Sequence, residues 1–191
     1  MKQSTLIPLA LFCLFCTSSI QAQVDIKVNP LGLLFNNINA SVEFGVKDNF
    51  GIEVTPGFGW DKLNLFNDGD YKGQVYRLGV NGRYYLNPTE KGLNGFYIGG
   101  YTRYKGGRFT LEGDQVDMNK FSLGFILGGK VVAQNERLIF DFGTGFGRAL
   151  LFELTDAASG EQEDISDIPI ANWDIPLYIS IGYRFGGSSR K

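Results

Sequence analysis

Ile38-Asn-Ala-Ser-Val-Glu-Phe-Gly-Val46, the polar turn Lys47-Asp-Asn49 and Phe50-Gly-Ile-Glu-Val-Thr-Pro-Gly-Phe58 decide the fold. Ile38, Ala40, Val42, Phe44 and Val46 alternate with Asn39, Ser41, Glu43 and Gly45, and after the turn Phe50, Ile52, Val54 and Phe58 alternate with Gly51, Glu53, Thr55 and Gly57. Successive side chains of a strand point to opposite faces, so a sustained period of two marks strands with one apolar and one polar face. Pairing Val46 with Phe50 sets Phe44 opposite Ile52 and Val42 opposite Val54, which puts both apolar faces on one side. The same register sets Glu43 opposite Glu53.

Six further segments read the same way, at about 24–33, 74–86, 96–104, 121–132, 138–146 and 175–185. Connections at 47–49, 87–95 and 133–137 are short, whereas 61–73, 105–120 and 147–174 are long and polar; 35–37 is a short exception among the long set. Eight strands with this rhythm predict an all-β fold, an eight-stranded antiparallel up-and-down transmembrane β-barrel with both termini and the short turns periplasmic. Pro30 and Pro56 each remove a ladder donor, and bulges are expected there.

Residues 1–22 read as a signal peptide: Lys2 gives a positive start, 6–16 are apolar but too short to span a bilayer, and Ala22 supplies a small residue before cleavage at Gln23. Residues 23–191 form the barrel domain. Cleavage removes Cys13 and Cys16, and the bulky Phe15 is wrong for a lipidation site at Cys16. No other apolar run approaches the ~20 residues of a membrane helix, so entry into a membrane requires a closed barrel.

With 18 Lys and Arg against 20 Asp and Glu, the chain offers no electrostatic footprint for nucleic acid. It contains no histidine, which excludes histidine-based catalysis and a conventional zinc site. Gly143-Thr-Gly-Phe-Gly147 lacks phosphate-loop spacing and lies in a strand. No catalytic, cofactor-binding or metal residue is expected, and no cofactor. The acidic stretch Glu153, Asp156, Glu161, Glu163, Asp164, Asp167 and Asp174 reads as a solvated loop, the alternative being a divalent cation bridging it to lipopolysaccharide.

The polar faces are poor in Lys and Glu and rich in Gly, Ser, Asn, Tyr and Arg, which suits a cramped lumen better than a wet exterior. Gly99, Gly124, Gly128, Gly143, Gly145 and Gly147 are then small because eight strands leave little interior room. Glu43, Glu53, Arg83 and Asp141 each lie four residues from a short turn, and Lys130 and Arg184 reach nearly the same level. They form an expected lumenal charge belt, with Arg83 bridging Glu43 and Glu53 and Lys130 opposite Asp141, that closes the barrel. Trp60 and Trp173 mark the outer membrane interface, and Phe50, Tyr84, Tyr85, Tyr183 and Phe185 the inner one.

Leu177-Tyr-Ile-Ser-Ile-Gly-Tyr-Arg-Phe185 resembles the closing strand of outer-membrane barrels, in which Ile181, Tyr183 and Phe185 would be the insertion signal recognised by the barrel-assembly machinery. The chain from Gln23 is similar to small OmpA/OmpX-type barrels. Asp25-Ile-Lys-Val-Asn-Pro30 with Val42-Glu-Phe44, and Asn81-Gly-Arg-Tyr-Tyr-Leu86 with Gly95-Phe-Tyr-Ile98, resemble uncharacterised outer-membrane barrels of the Bacteroidetes kind. The chain departs from many such proteins by continuing through Gly186 to Lys191 after the terminal aromatic. The expectation is a non-enzymatic outer-membrane protein with a structural or surface-interaction role, its partners being outer-membrane lipid, lipopolysaccharide and a surface protein. The alternatives are a narrow channel, a carboxylate-dependent lipid hydrolase and a soluble lipocalin-like binder.

Overall fold

Alternation of apolar and polar residues becomes a hairpin at 38–58 in the computed structural model, which describes residues 23–34, 36–61, 72–89, 92–111, 114–164 and 172–186. The signal-peptide expectation for 1–22 lies outside the described residues. The elements in chain order are β1 (Val24–Val28), α1 (Pro30–Leu34), β2 (Asn37–Lys47), β3 (Phe50–Asp61), β4 (Lys72–Tyr85), β5 (Gly95–Leu111), β6 (Asp114–Val132), β7 (Leu138–Asp156), β8 (Gln162–Asp164), β9 (Trp173–Asp174) and β10 (Leu177–Phe185).

Each strand from β1 to β7 pairs antiparallel with the next, and β10 pairs with both β7 and β1, so eight strands close a ring. Phe44 faces Ile52, Val42 faces Val54 and Glu43 faces Glu53, as the sequence pattern requires. At the turn itself Gly45 pairs with Gly51 and Lys47 with Phe50, so a bulge displaces Val46 from the expected pairing. Val24 pairs with Phe185 at the end where β2 turns into β3, β4 into β5 and β6 into β7, which gathers the strand termini and short turns at one end.

Three expectations need correction. Strand one ends at Val28, and the phase change after Pro30 is a helical turn rather than a bulge. Asn29 caps it: its Oδ1 accepts from the N–H groups of Leu31 (3.0 Å) and Gly32 (3.3 Å), with Pro30 at the first helical position, where no donor is needed. Pro56 stays in register with Leu78, and the ladder to β2 skips it without shifting. The connections at 105–120 and 147–174 are largely strand: β5 and β6 continue to Leu111 and Asp114, and β7 runs to Asp156. Backbone pairing and cross-strand partners such as Arg108 with Asp117 (2.6 Å) carry these extensions, whose outward face is polar.

Burial runs opposite to that of a soluble domain. Among the described residues 35 large hydrophobic side chains are exposed, while the buried set comprises 18 polar or charged residues and only eight hydrophobic ones. The lumen is narrow: a Cβ on Gly143 would stand 2.6 Å from the Tyr178 hydroxyl and 2.8 Å from that of Tyr97, and one on Gly124 2.7 Å from the Tyr101 ring. Glycine is small here because a tyrosine fills the space opposite, as the interior of an eight-stranded barrel demands.

Candidate functional site

All eight ring strands contribute to one buried polar network in the lumen. β1 supplies Asp25 and Lys27, β2 Glu43, β3 Glu53, β4 Arg83, β5 Tyr97, β6 Lys130, β7 Asp141 and β10 Arg184. Lys27 Nζ lies 2.9 Å from Glu43 and 2.7 Å from Glu53, and also pairs with Asp141. Arg83 Nη1 is 2.6 Å from Asp141 and 3.4 Å from Glu43, and its Nη2 pairs with Glu53. Lys130 Nζ donates to Asp25 (2.8 Å) and Glu43 (3.0 Å), and the Arg184 guanidinium clasps Asp25 at 2.7 and 2.8 Å. Four carboxylates thus meet four cations.

Neutral donors add further hydrogen bonds to the same carboxylates. The Tyr85 hydroxyl donates to Glu43 (2.6 Å), Tyr97 to Asp141 (2.9 Å) and Asn81 Nδ2 to Glu53 (2.6 Å). The Arg83 guanidinium carbon also stands 4.5 Å from the Tyr97 ring centre and 5.4 Å from that of Tyr178. Removing charges from water is costly, and a mutually paired, hydrogen-bonded arrangement is the one that survives it.

Oxygens of Glu43, Glu53 and Asp141 lie within 4.8 Å of one another, a spacing that suits a metal ion. Lys27 Nζ contacts all three of these carboxylates, so a tethered ammonium takes the place of a cation there.

Below the network Leu93 and Asn94 turn inward. Leu93 is 2% exposed; its N–H donates to Gln23 Oε1 (3.0 Å) and its carbonyl accepts from Arg184 Nη2 (2.8 Å). Above the network lies a chamber of about 360 Å³, its walls including Asn39, Thr55, Arg77, Asn81, Arg103 and Lys105. Asp174, on β9, turns into the mouth of the barrel and accepts from Lys105 (2.7 Å), Tyr101 (3.0 Å) and Arg103 (3.2 Å).

The structure brings Glu43, Glu53, Arg83, Lys130, Asp141 and Arg184 into this one network. Arg83 touches both Glu43 and Glu53, whereas Lys130, although opposite Asp141 in the ladder, turns its ammonium to Asp25 and Glu43. Asp25, Lys27, Tyr97 and Leu93 escaped the sequence reading, although Asp25 and Lys27 share the polar alternation of β1. Ile181, Tyr183, Phe185, Trp60, Trp173 and Tyr84 all point outward, and Phe50 is half-buried. Tyr85 is corrected: it is fully buried in the lumen, one residue out of phase with Tyr84.

The acidic stretch 153–174 also needs correction, because Asp174 is buried among cations rather than solvated. Asp156 caps its own turn instead, accepting the N–H groups of Ser159 and Ala158 at 2.8 Å each, which holds its carboxyl below the usual range. Asp167 and the side chains of Glu163 and Asp164 lie outside the described residues.

A family model described as "Protein of unknown function (DUF3575)" matches residues 7–151. Among solved structures, a major outer membrane protein from Thermus thermophilus is 14% identical over 86% of this chain and 98% of its own, with a TM-score of 0.44. No curated protein matches.

Proposed function

The chain belongs to the DUF3575 family of proteins of unknown function, and we propose that it is an outer-membrane β-barrel whose lumen is closed by the ion network, serving a non-enzymatic structural or surface-interaction role. The observation that carries this is the inverted burial: among the described residues 35 exposed large hydrophobics surround an interior rich in ions and tyrosines. An apolar surface on that scale is untenable in water and is what a bilayer requires.

Its height also fits. On β6 the outward residues Phe121, Leu123, Phe125, Leu127 and Val131 are all exposed. Ten steps of about 3.3 Å, tilted by roughly 40°, give about 25 Å, the apolar band of such barrels. Beyond Phe121 the outward neighbours Asn119 and Asp117 are polar, and Asp117 pairs with Arg108 in the open. Trp60 and Trp173 sit towards that rim and Tyr84, Tyr183 and Phe185 towards the other, at headgroup level. In this reading the strand termini are periplasmic and the β5–β6 and β7–β8 extensions face outward, towards lipopolysaccharide or a surface protein. Ile181, Tyr183 and Phe185 are the residues offered to the assembly machinery.

Membrane fractionation and heat-modifiable mobility in detergent gels test the reading, with a pair of variants that separates the two faces. Ile181→Arg points into the bilayer and costs about 2 to 4 kcal/mol at mid-depth, and assembly should suffer more than it does for Ser180→Arg on the lumenal face. Recovery of the native protein from the soluble periplasm, or normal assembly of Ile181→Arg, would overturn the proposal.

A further inference from the structure

Arg77 on β4 and Lys105 on β5 are direct ladder partners, and Arg103 lies two residues along the same inward face. Like charges set opposite one another repel. Their shared carboxylate among the described residues is Asp174, which pairs with Arg103 and Lys105. Arg77 donates instead to a neutral amide oxygen, Asn39 Oδ1 at 3.1 Å, and its buried Nε has no partner. Among the described residues, three cations against one carboxylate leave two positive charges unbalanced. The ion network below offers no relief, because its four carboxylates already face four cations.

These cations line the chamber of about 360 Å³, and so does Thr55, whose buried hydroxyl also lacks a hydrogen-bond partner. Asn39, Asn81 and Ser41 add neutral polar groups to the wall. That volume falls in the lower range of small-molecule sites, about 300 to 1,000 Å³. Guanidinium forks match the oxygens of a phosphate two at a time, and a phosphate monoester carries roughly −1.5 to −2 charge near neutral pH. We propose that the outer lumen is a binding site for a small phosphate monoester, with Arg77, Arg103 and Lys105 holding the dianion and Thr55, Asn39 and Asn81 meeting its hydroxyl-bearing portion.

Two routes are open to test. A soluble phosphate ester would enter through the mouth of the barrel. The second route is through the wall: β1 ends at Val28 opposite Ile181, so the outer part of β10 from Leu177 to Ser180 has no β1 partner, α1 packs against β10 instead, and Asn29, Pro176 and Leu177 line the chamber at this seam. A lipid phosphate monoester would reach the cations there by displacing α1.

The test is isothermal titration of the full chain in non-ionic detergent with glucose 6-phosphate, glucose and a short-chain phosphatidic acid. At least one phosphate ester should bind, and glucose should bind at least about tenfold more weakly, since the recognised group is charged. Arg77→Gln with Arg103→Gln should weaken binding by a similar factor, while Arg108→Gln, on the outer extension, should leave it unchanged. Binding of glucose 6-phosphate alone assigns the mouth as the route, and binding of phosphatidic acid alone assigns the seam.

Should the double variant fail to assemble, the salt dependence of the unaltered protein decides: affinity must fall as sodium chloride rises. Absence of binding by both esters, equal binding of glucose, unchanged binding by the assembled double variant, or indifference to salt would each overturn the proposal. None of these results touches the membrane assignment, which rests on the outer wall.

Discussion

Substituting Arg83 by methionine removes one cation from a neutral cluster and leaves its volume largely filled. In the intact protein Arg83 contacts Glu43, Glu53 and Asp141 and lies against two tyrosine rings. After the change, those three carboxylates share Lys27 and Lys130, and the network carries one uncompensated negative charge where no side chain is more than a few per cent exposed. Breaking a buried ion pair from one side costs about 3 to 5 kcal/mol. Loss of the ring contacts adds about 0.5 to 2 kcal/mol.

A total near 4 to 6 kcal/mol corresponds to roughly three to four decades in the unfolding constant. Urea unfolding from lipid vesicles, followed by the shift between folded and unfolded gel bands, reads this as a lowered midpoint at unchanged slope. The control is the double variant Arg83→Met with Glu53→Gln, which restores neutrality and keeps an oxygen for Lys27, while Asn81 can turn its own amide oxygen to the new NH2 group. It should recover more than half of the loss. If Arg83→Met costs under about 1 kcal/mol, or if adding Glu53→Gln makes matters worse, charge balance is not what holds the lumen together.

In planar bilayers the intact protein should pass no steady ion current, and Lys27→Ala together with Arg83→Ala should give brief openings; a steady current through the unaltered barrel would refute closure by the network. Gly143→Val would thrust methyl groups into the Tyr97 and Tyr178 hydroxyls and should cost about 1 to 3 kcal/mol in the same urea assay, whereas a neutral result would mean that the lumen has slack. The Asp156 turn should respond to acid. Because its folded pKa lies below the unfolded value of about 3.9, the N–H contacts to Ala158 and Ser159 are fully held above that value and are lost as pH falls through the folded pKa. Amide shifts of Ala158 and Ser159 that stay constant through that range would contradict the cap.

What the sequence disclosed was whatever the period of two could carry. Phe44 over Ile52 and Glu43 over Glu53 follow from the alternation and one tight turn, and the six charges singled out were found by counting strand positions from short turns. β1 has no preceding turn to count from, which is why Asp25 and Lys27 went unplaced although their phase was plain. Tyr178 reads with the polar face of its strand, but Tyr97 and Tyr101 went unplaced, because an aromatic residue suits either face and only the structure assigns them to the lumen. Beyond Tyr104 and Phe121 the outward face turns polar, with Arg108, Asp117 and Asn119 on it, and the apolar phase passes to Phe109, Val116 and Met118 on the other face, so the ladder there breaks the pattern that marks the strands below it. The helical turn at Pro30 left a signal in the phase break, and the Asn29-Pro30 pair distinguishes a capped turn from a bulge.

The contact between Arg184 and Asp25 joins side chains 159 positions apart, one on the last strand of the ring and the other on the first. Until β10 arrives, Asp25 keeps only Lys130 as its ionic partner, Arg184 has not reached Leu93 beneath the network, and the first and last edges of the sheet stand unpaired. A chain halted with seven strands in lipid therefore bears both an open edge and an unbalanced interior, and both penalties vanish in the single step that docks β10. In the proposed membrane setting, docking of the last strand should drive assembly to completion, and partly inserted forms should be short-lived.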